Sequence, residues 1–438
     1  MRNRWGVAAI AALTVTAIAG CSASDEQQTP TPSAHPSEEP LETFDGDSLA
    51  DLTLSETTLE AAPTADPDSR TDAIGLTETR LLTTRPDVEN VIMLEAHDVE
   101  TGQIAWDVTL WESRQIATDG GLDAGQGAGR LELSDARAQR TGGDSVFAPV
   151  FGNICADEAC SAHADIDDYG GGYRAGVVAL DGADGSVRWV TDLTPHLGDD
   201  VDGIGLHPEI VDASAETTLV NIDQPTGEGA VVVAALDTAT GEVRWVSEGA
   251  IASAVVGGVV TAVRPDDPRE PSGSLVGLDA ATGDELWQTG ESGSWAPRGA
   301  TGSLAVVDAP DAAVVDLGTG ERVRMGRFPV DPVAGGADDG AYATWIDARD
   351  GSVYTYADGA ERARVSESTV SGDALVAISG DDYLWIASGG DDPEIVAADR
   401  TGMTRSDAIT GEFVDVRGSS IVTVTPDRVV HLWRYAAS

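Results

Sequence analysis

The chain has 438 residues, 41% of them hydrophobic, with 26 Lys plus Arg against 75 Asp plus Glu and a formal charge of −49. Every cation is an arginine, because the sequence contains no lysine. That excludes Schiff-base chemistry, a phosphate-loop lysine and a Ser–Lys dyad. The charge sign argues against nucleic acid and against a polybasic grip on anionic lipid. The apolar fraction is enough for a sizeable core, so the chain as a whole reads as folded.

The first segment reads MRNRWGVAAIAALTVTAIAGC. Arg2 and Arg4 make a basic start, and Val7 to Ala19 is largely apolar. That stretch is shorter than the roughly 20 residues a bilayer-spanning helix needs, which reads as a secretory signal. It ends Ile18-Ala19-Gly20-Cys21, which resembles the lipobox of bacterial lipoproteins. The resemblance implies cleavage before Cys21, lipid (palmitate among the acyl chains) attached there, and a protein held at the extracytoplasmic face of the cell membrane. Residues 1–20 are then the signal peptide. Residues 21–47 are dominated by Ser, Thr, Pro, Gln, Glu and Asp. They cannot bury enough apolar surface to offset chain entropy, and are expected to form a disordered tether. Residues 48–438 remain for the folded part.

Cys155 and Cys160 lie in Asn153-Ile-Cys-Ala-Asp-Glu-Ala-Cys160. An oxidising compartment and an even count predict one local disulfide. A zinc site has only His163 nearby as a third ligand, and no second cysteine pair. Two acidic runs, Asp165-Ile-Asp-Asp168 and Asp199-Asp-Val-Asp-Gly203, look superficially like calcium loops. Neither has the acidic residue at position 12 of an EF-hand loop, so solvated loop charge is the expectation and no metal ligand is assigned.

A recurring phrase organises the rest. Asp98-Val-Glu-Thr-Gly102-Gln-Ile-Ala-Trp106 comes first, then Asp181-Gly-Ala-Asp-Gly185-Ser-Val-Arg-Trp189. Asp237-Thr-Ala-Thr-Gly241-Glu-Val-Arg-Trp245 and Asp279-Ala-Ala-Thr-Gly283-Asp-Glu-Leu-Trp287 follow. A fifth copy, Asp316-Leu-Gly-Thr-Gly320, has Arg324 where tryptophan would fall. Weaker copies lie at Asp358-Gly359 and Asp399-Arg-Thr-Gly402, while Asp407-Ala-Ile-Thr-Gly411 competes for the last frame. Each copy reads as a hairpin. The apolar run before it is a buried inner strand. Asp accepts from amides of its own turn, and Gly takes the positive φ the turn needs. Trp is placed to pack on a neighbouring unit.

Turn glycines at 102, 185, 241, 283, 320, 359 and 402 recur at intervals near 40, the length of a four-stranded propeller blade. The long interval from 102 to 185 reads as one blade with an insertion. Between hairpins lie two more short strands per unit, and no stretch keeps a 3.6-residue period, which argues against a parallel α/β fold. A final three-strand piece (413–416, 421–424, 429–435) lacks an outer strand. A strand from the N-terminal part, somewhere within Leu49 to Leu82, is expected to complete it. The fold expected is therefore an all-β propeller of eight four-stranded blades, seven being the alternative.

These phrases resemble the tryptophan-docking repeat of the quinoprotein-type (PQQ-like) β-propellers, over about residues 75–438. In anchor and repeat type the chain also resembles the outer-membrane β-barrel assembly lipoproteins. The composition is nearer that of high-GC Gram-positive lipoproteins, so the resemblance carries over the fold and the scaffold class and not that job. Quinone-binding relatives usually have adjacent cysteines, a calcium held by Glu, Asn and Asp, and a catalytic Asp. No Cys-Cys, C-x-x-C-H, G-x-S-x-G or H-E-x-x-H occurs here. No cofactor and no catalytic residue is assigned. His97 and His431 sit inside strand patterns and are expected to be packed or hydrogen-bonded there. The function expected is a non-enzymatic, monomeric scaffold for an unidentified extracytoplasmic protein. The alternatives are a quinoprotein dehydrogenase or cofactor binder, and a small-ligand or glycan receptor.

Overall fold

The computed structural model describes residues 49–438 apart from 60–70, 87–91, 110–135, 140–142, 153–173, 198–205, 224–230, 267–271 and short links between strands from 295 to 402. Cys21, Cys155, Cys160, the signal segment and the tether lie outside the described residues. All the strands belong to one compact unit, Leu41–Ser438.

The described residues form eight four-stranded antiparallel sheets. The first is β2 (Asp72–Leu76), β3 (Arg80–Pro86), β4 (Ile92–Asp98) and β5 (Ile104–Thr109). The second is β6 (Arg137–Ala138), β7 (Val146–Gly152), β8 (Arg174–Leu180) and β9 (Val187–Asp192). The third is β10 (His207–Ala213), β11 (Thr217–Asp223), β12 (Val231–Asp237) and β13 (Val243–Glu248). The fourth is β14 (Ile251–Val256), β15 (Val259–Pro265), β16 (Ser272–Asp279) and β17 (Glu285–Ser294). The fifth is β18 (Ala296–Thr301), β19 (Leu304–Asp308), β20 (Ala313–Asp316) and β21 (Arg322–Arg324). The sixth is β22 (Val333–Gly335), β23 (Tyr342–Ile346), β24 (Val353–Ala357) and β25 (Ala360–Arg364). The seventh is β26 (Ala374–Ile378), β27 (Leu384–Ala387), β28 (Glu394–Ala398) and β29 (Ile409–Thr410). The eighth joins β30 (Glu412–Arg417), β31 (Ser420–Val424) and β32 (Val430–Ala437) to β1 (Leu52–Thr57), so it is built from both ends of the described chain. The one helical piece among the described residues is a 3-10 turn, Thr194–His196.

The first strand of each sheet contacts the first strand of the next, and β30 returns to β2. That closes a ring with these strands at its axis, a β-propeller. Among the described residues, the long interval between Gly102 and Gly185 holds, after β5, strands of the second sheet alone. Apolar clusters fill the spaces between sheets: Leu82, Leu94 and Ala96 against Val146, Val178 and Leu180, and Leu219, Val233 and Ala235 against Val260, Val276 and Leu278.

The repeats' apolar runs are buried, but they are the third strands from the axis and not the inner ones. In β12, five consecutive residues from Val232 to Leu236 are buried. A continuous apolar run marks a strand covered on both faces. In a ring of sheets that holds for any middle strand, so the pattern does not report distance from the axis. The last repeat frame is also settled. Asp399 starts the turn after β28, whereas Gly411 links the seventh sheet to the eighth.

Closure is fastened at the start of β1. Leu52 N–H donates to Arg405 O at 2.5 Å, Ser438 N–H to Asp51 O at 2.9 Å, and the Tyr383 hydroxyl to Ala50 O at 2.9 Å. The Arg405 guanidinium bonds Asp51 at 3.3 Å and the fully buried Asp399 at 2.6 Å. The bond to Asp399 raises the Arg405 pKa still further.

Candidate functional site

The hairpin turns share one hydrogen-bond pattern. In five copies the amide of the turn glycine (Gly102, Gly185, Gly241, Gly283, Gly320) donates to the carbonyl of the Asp four residues earlier at 2.8 Å. The carboxylates of Asp98, Asp237, Asp279 and Asp316 each accept amides two and three residues on, and Asp181 the amide of Ala183. The Arg244 side chain, with Thr240 beside it, holds Asp237 below the usual carboxylate range despite desolvation. The glycines have φ of 69–77°.

The tryptophans dock on the next turn. Trp106, Trp189, Trp245 and Trp287 are 7–9% exposed. Their indole N–H groups donate to Gly182 O, Thr238 O, Ala280 O and Leu317 O at 2.7–3.1 Å. Each ring lies against the following turn glycine. A methyl group on Gly185, Gly241, Gly283 or Gly320 would come within 2.6 or 2.7 Å of a ring atom. Positive φ and the ring contact therefore demand glycine independently. Gly102 opens the series and receives no tryptophan. A methyl there would collide with the Thr58 carbonyl of the closing strand.

The pairing register carries the tryptophan row inward to the axis. Trp106 leads through Ala96 and Leu82 to Gly75. Trp189 leads through Ala179 and Phe147 to Arg137. Trp245 leads through Ala235 and Leu219 to Asp212. Trp287 leads through Gly277 and Thr261 to Ala254. In the eighth sheet the row runs from Asp415 through Val422 and Leu432 to Thr57, which stands where the other sheets place tryptophan. A bulge immediately before Gly75, Asp212, Ala254 and Asp415 recurs before Gly299 and Ala377. One axial layer is thus Gly75, Arg137, Asp212, Ala254, Gly299, Ala377 and Asp415.

Sequence reasoning missed this layer. Its only signal is the pair Ile210-Val-Asp-Ala213 and Phe413-Val-Asp-Val416. The two aspartates are used alike. Asp212 accepts the amides of Ala213 and Val255 at 2.9 Å, and Asp415 those of Val416 and Leu76 at 2.8 Å. Each carboxylate therefore ties its own bulge to the first strand of the next sheet. Burial pushes the Asp415 carboxyl up, against the Leu76 and Val416 amides and the Arg417 charge. Arg417 donates to Leu76 O at 3.0 Å and to Gln139 O.

Around this layer lies a cavity of about 630 Å³, bounded by β2, β6, β10 and β30. Its wall is mixed: Ile74, Val211 and Val414 line it together with the charged side chains of Asp72, Asp212, Asp415, Arg137 and Arg417. A second buried polar group joins the first sheet: Arg85 bonds Glu95 through Nε and one terminal nitrogen at 3.0 and 2.8 Å. His97 Nε2 meets Thr83 Oγ1 at 3.2 Å and Nδ1 meets Gly102 O at 3.4 Å. His431 meets Glu56 at 2.7 Å, so both strand histidines are hydrogen-bonded. No group of three or more His, Cys, Asp or Glu able to hold a metal occurs among the described residues. No helix among them is long and apolar enough to cross a membrane.

A family model described as outer membrane protein assembly factor BamB matches residues 173–328. No curated protein matches the chain. Similar solved structures include BamB from Moraxella catarrhalis, at 13% identity and TM-score 0.46, covering 87% of this chain and 98% of that one. A quinohemoprotein alcohol dehydrogenase from Pseudomonas putida has 11% identity and TM-score 0.42, covering 91% and 78%. The WD40 domain of Toxoplasma gondii coronin has 10% identity and TM-score 0.41, covering 91% and 89%.

Proposed function

We propose that this chain is a lipid-anchored extracytoplasmic β-propeller that works as a non-enzymatic protein-binding or assembly scaffold. The observation that carries the reading is the use made of the axial carboxylates. A catalytic acid or base must reach a substrate proton, but Asp212 and Asp415 are each bonded to two main-chain amides. The turn aspartates are spent in the same way on their own turns. These six carboxylates build the ring. The match of residues 173–328 to the assembly-factor family agrees with a scaffold. Attachment through Cys21 and the 21–47 tether would hold the propeller as a monomer outside the cytoplasm, near a membrane-embedded or surface partner.

Two measurements test this. Photo-cross-linking from the propeller surface in intact cells should give the same discrete adduct from several neighbouring positions on one face. That adduct should persist when Asp212 or Asp415 is replaced by a variant that still folds. Calorimetric titration of pyrroloquinoline quinone into calcium-loaded protein should show no binding. Micromolar quinone binding with turnover of an electron acceptor would overturn the scaffold in favour of a dehydrogenase.

A further inference from the structure

Carboxylates outnumber arginines almost three to one in this chain, 75 against 26 basic residues. Accordingly Arg80, Arg85, Arg188, Arg244, Arg264 and Arg405 each reach a carboxylate within 3.5 Å. Arg137 does not. Its only ionic partner among the described residues is Glu209 at 3.8 Å, and its side chain makes no hydrogen bond there. Both side chains are more than half exposed, 51% and 59%, so the pair is weak and easily displaced.

Arg137 nevertheless occupies a built position. It is the second sheet's member of the axial layer and lines the cavity. In the third and eighth sheets the equivalent residues are aspartates that turn to the next sheet's amides. Gly75, the first sheet's member of the layer, also lines the cavity and brings no side chain to it. The cavity, about 630 Å³, falls in the range of roughly 300–1,000 Å³ usual for small-molecule sites. Ile74, Val211 and Val414 share its lining with the half-exposed Arg137 guanidinium, a planar fork suited to two parallel bonds with a carboxylate. Asp72 in the same lining and the chain's charge of −49 disfavour a dianion such as phosphate more than a monoanion.

We propose that the axial cavity binds a small monocarboxylate, with the Arg137 guanidinium gripping its carboxylate and the side chains of Ile74, Val211 and Val414 in contact with the rest of the molecule. Glu209 competes for the same guanidinium and so weakens the site.

Hexanoate is a suitable probe, with uncharged hexanamide as its control, titrated into the purified full chain by calorimetry and saturation-transfer NMR. Hexanoate is expected to bind saturably at one site, at least tenfold more tightly than hexanamide. Arg137→Gln should weaken hexanoate at least tenfold while leaving the unfolding temperature unchanged, because the side chain is half exposed. Glu209→Gln should tighten hexanoate several-fold, an effect a merely structural arginine would not produce. Absence of saturable hexanoate binding, equal binding of hexanamide, or an unchanged affinity in Arg137→Gln would each overturn the proposal. None of these outcomes bears on the cross-linked adduct, so the site and the scaffold reading fail separately.

Discussion

If each tryptophan ring and the following turn glycine form one joint, substituting both must cost less than the two single changes together. Trp245 and Gly283 offer the cleanest case. Gly283 has φ +77° and a Cβ there would lie 2.7 Å from Trp245 Cδ2. Gly283→Ala therefore carries two costs: about 1–2 kcal/mol for an L-residue in the left-handed region and about 1–3 kcal/mol of overpacking against the ring. Gly258 separates them, since its φ is +80° but a methyl group there would have no atom within 4 Å. Gly258→Ala should cost about 1–2 kcal/mol only. Trp245→Ala opens a cavity and strands the Ala280 carbonyl, for about 3–5 kcal/mol. In that background the methyl at position 283 meets no ring, so Gly283→Ala should fall to its conformational cost. The coupling expected is about 1–3 kcal/mol, favouring the double variant over the sum. Urea unfolding followed by far-UV circular dichroism, with the slope checked for constancy, measures all four proteins. Additivity within about 0.5 kcal/mol, or equal costs at Gly258 and Gly283, would refute the joint.

Other outcomes follow from the same reasoning. Cys21→Ser should release the protein into the medium or leave uncleaved precursor, and unchanged lipid labelling in that variant would contradict the anchor. Cys155 and Cys160 should be disulfide-bonded, so denatured, unreduced mature protein should show no reactive thiol from this pair; reduction should cost roughly 2–3 kcal/mol at most, as for a short loop. Two carboxylates should give pH dependences of opposite sign. Asp237 is held below its ordinary 3.8, so its contribution is present above that value and is lost as pH falls through the folded pKa. Asp237→Asn should flatten the acid limb of a stability–pH curve. Asp415 is raised, so its contribution is full below 3.8 and is lost as pH rises through the folded pKa. Asp415→Asn should remove that loss, though it sets an amide NH₂ against one of two backbone donors and lowers stability at every pH, by about 1–3 kcal/mol.

The propeller was legible because its turn chemistry is written in residues with few alternatives. Asp, Gly and Trp at fixed offsets predict the five turns described here and the burial of the four tryptophans. The missing outer strand after residue 429 likewise predicts a partner from the N-terminal part, which β1 supplies. The axial layer was not legible. Its strands are short, β6 having two residues and β22 three. The bulge before Asp212 breaks the two-residue alternation that would have announced an inward-facing position. Arg137 follows the segment 110–135 with no apolar run of its own, so nothing local marks it as facing a cavity. Only the chain of pairings from Trp189 through Ala179 and Phe147 brings it there.

The same register explains why the closing sheet is fastened differently from the rest. A tryptophan staple works where the outer strand follows its turn directly, as Trp245 follows Gly241, because the hairpin already fixes the strand that carries the ring. β1 has no such turn to β32; the two strands meet only through the ladder from Leu52↔Ala437 to Thr57↔Leu432. Pairing them closes a loop of nearly the whole folded chain, and that entropy must be offset by contacts specific to β1. Its apolar content is small, with Leu52 the buried residue of LTLSET. The compensation is polar and concentrated at the free end. Ala50 and Asp51 receive bonds from Tyr383, Arg405 and Ser438, Leu52 N–H donates to Arg405 O, and Arg405 is itself braced by buried Asp399. At the other end Thr57 and the Thr58 carbonyl lie on Gly102, taking the place an indole takes at the other described turns. If the chain is anchored through Cys21 as proposed, a pull on that anchor would meet these bonds before it reached the β1–β32 ladder.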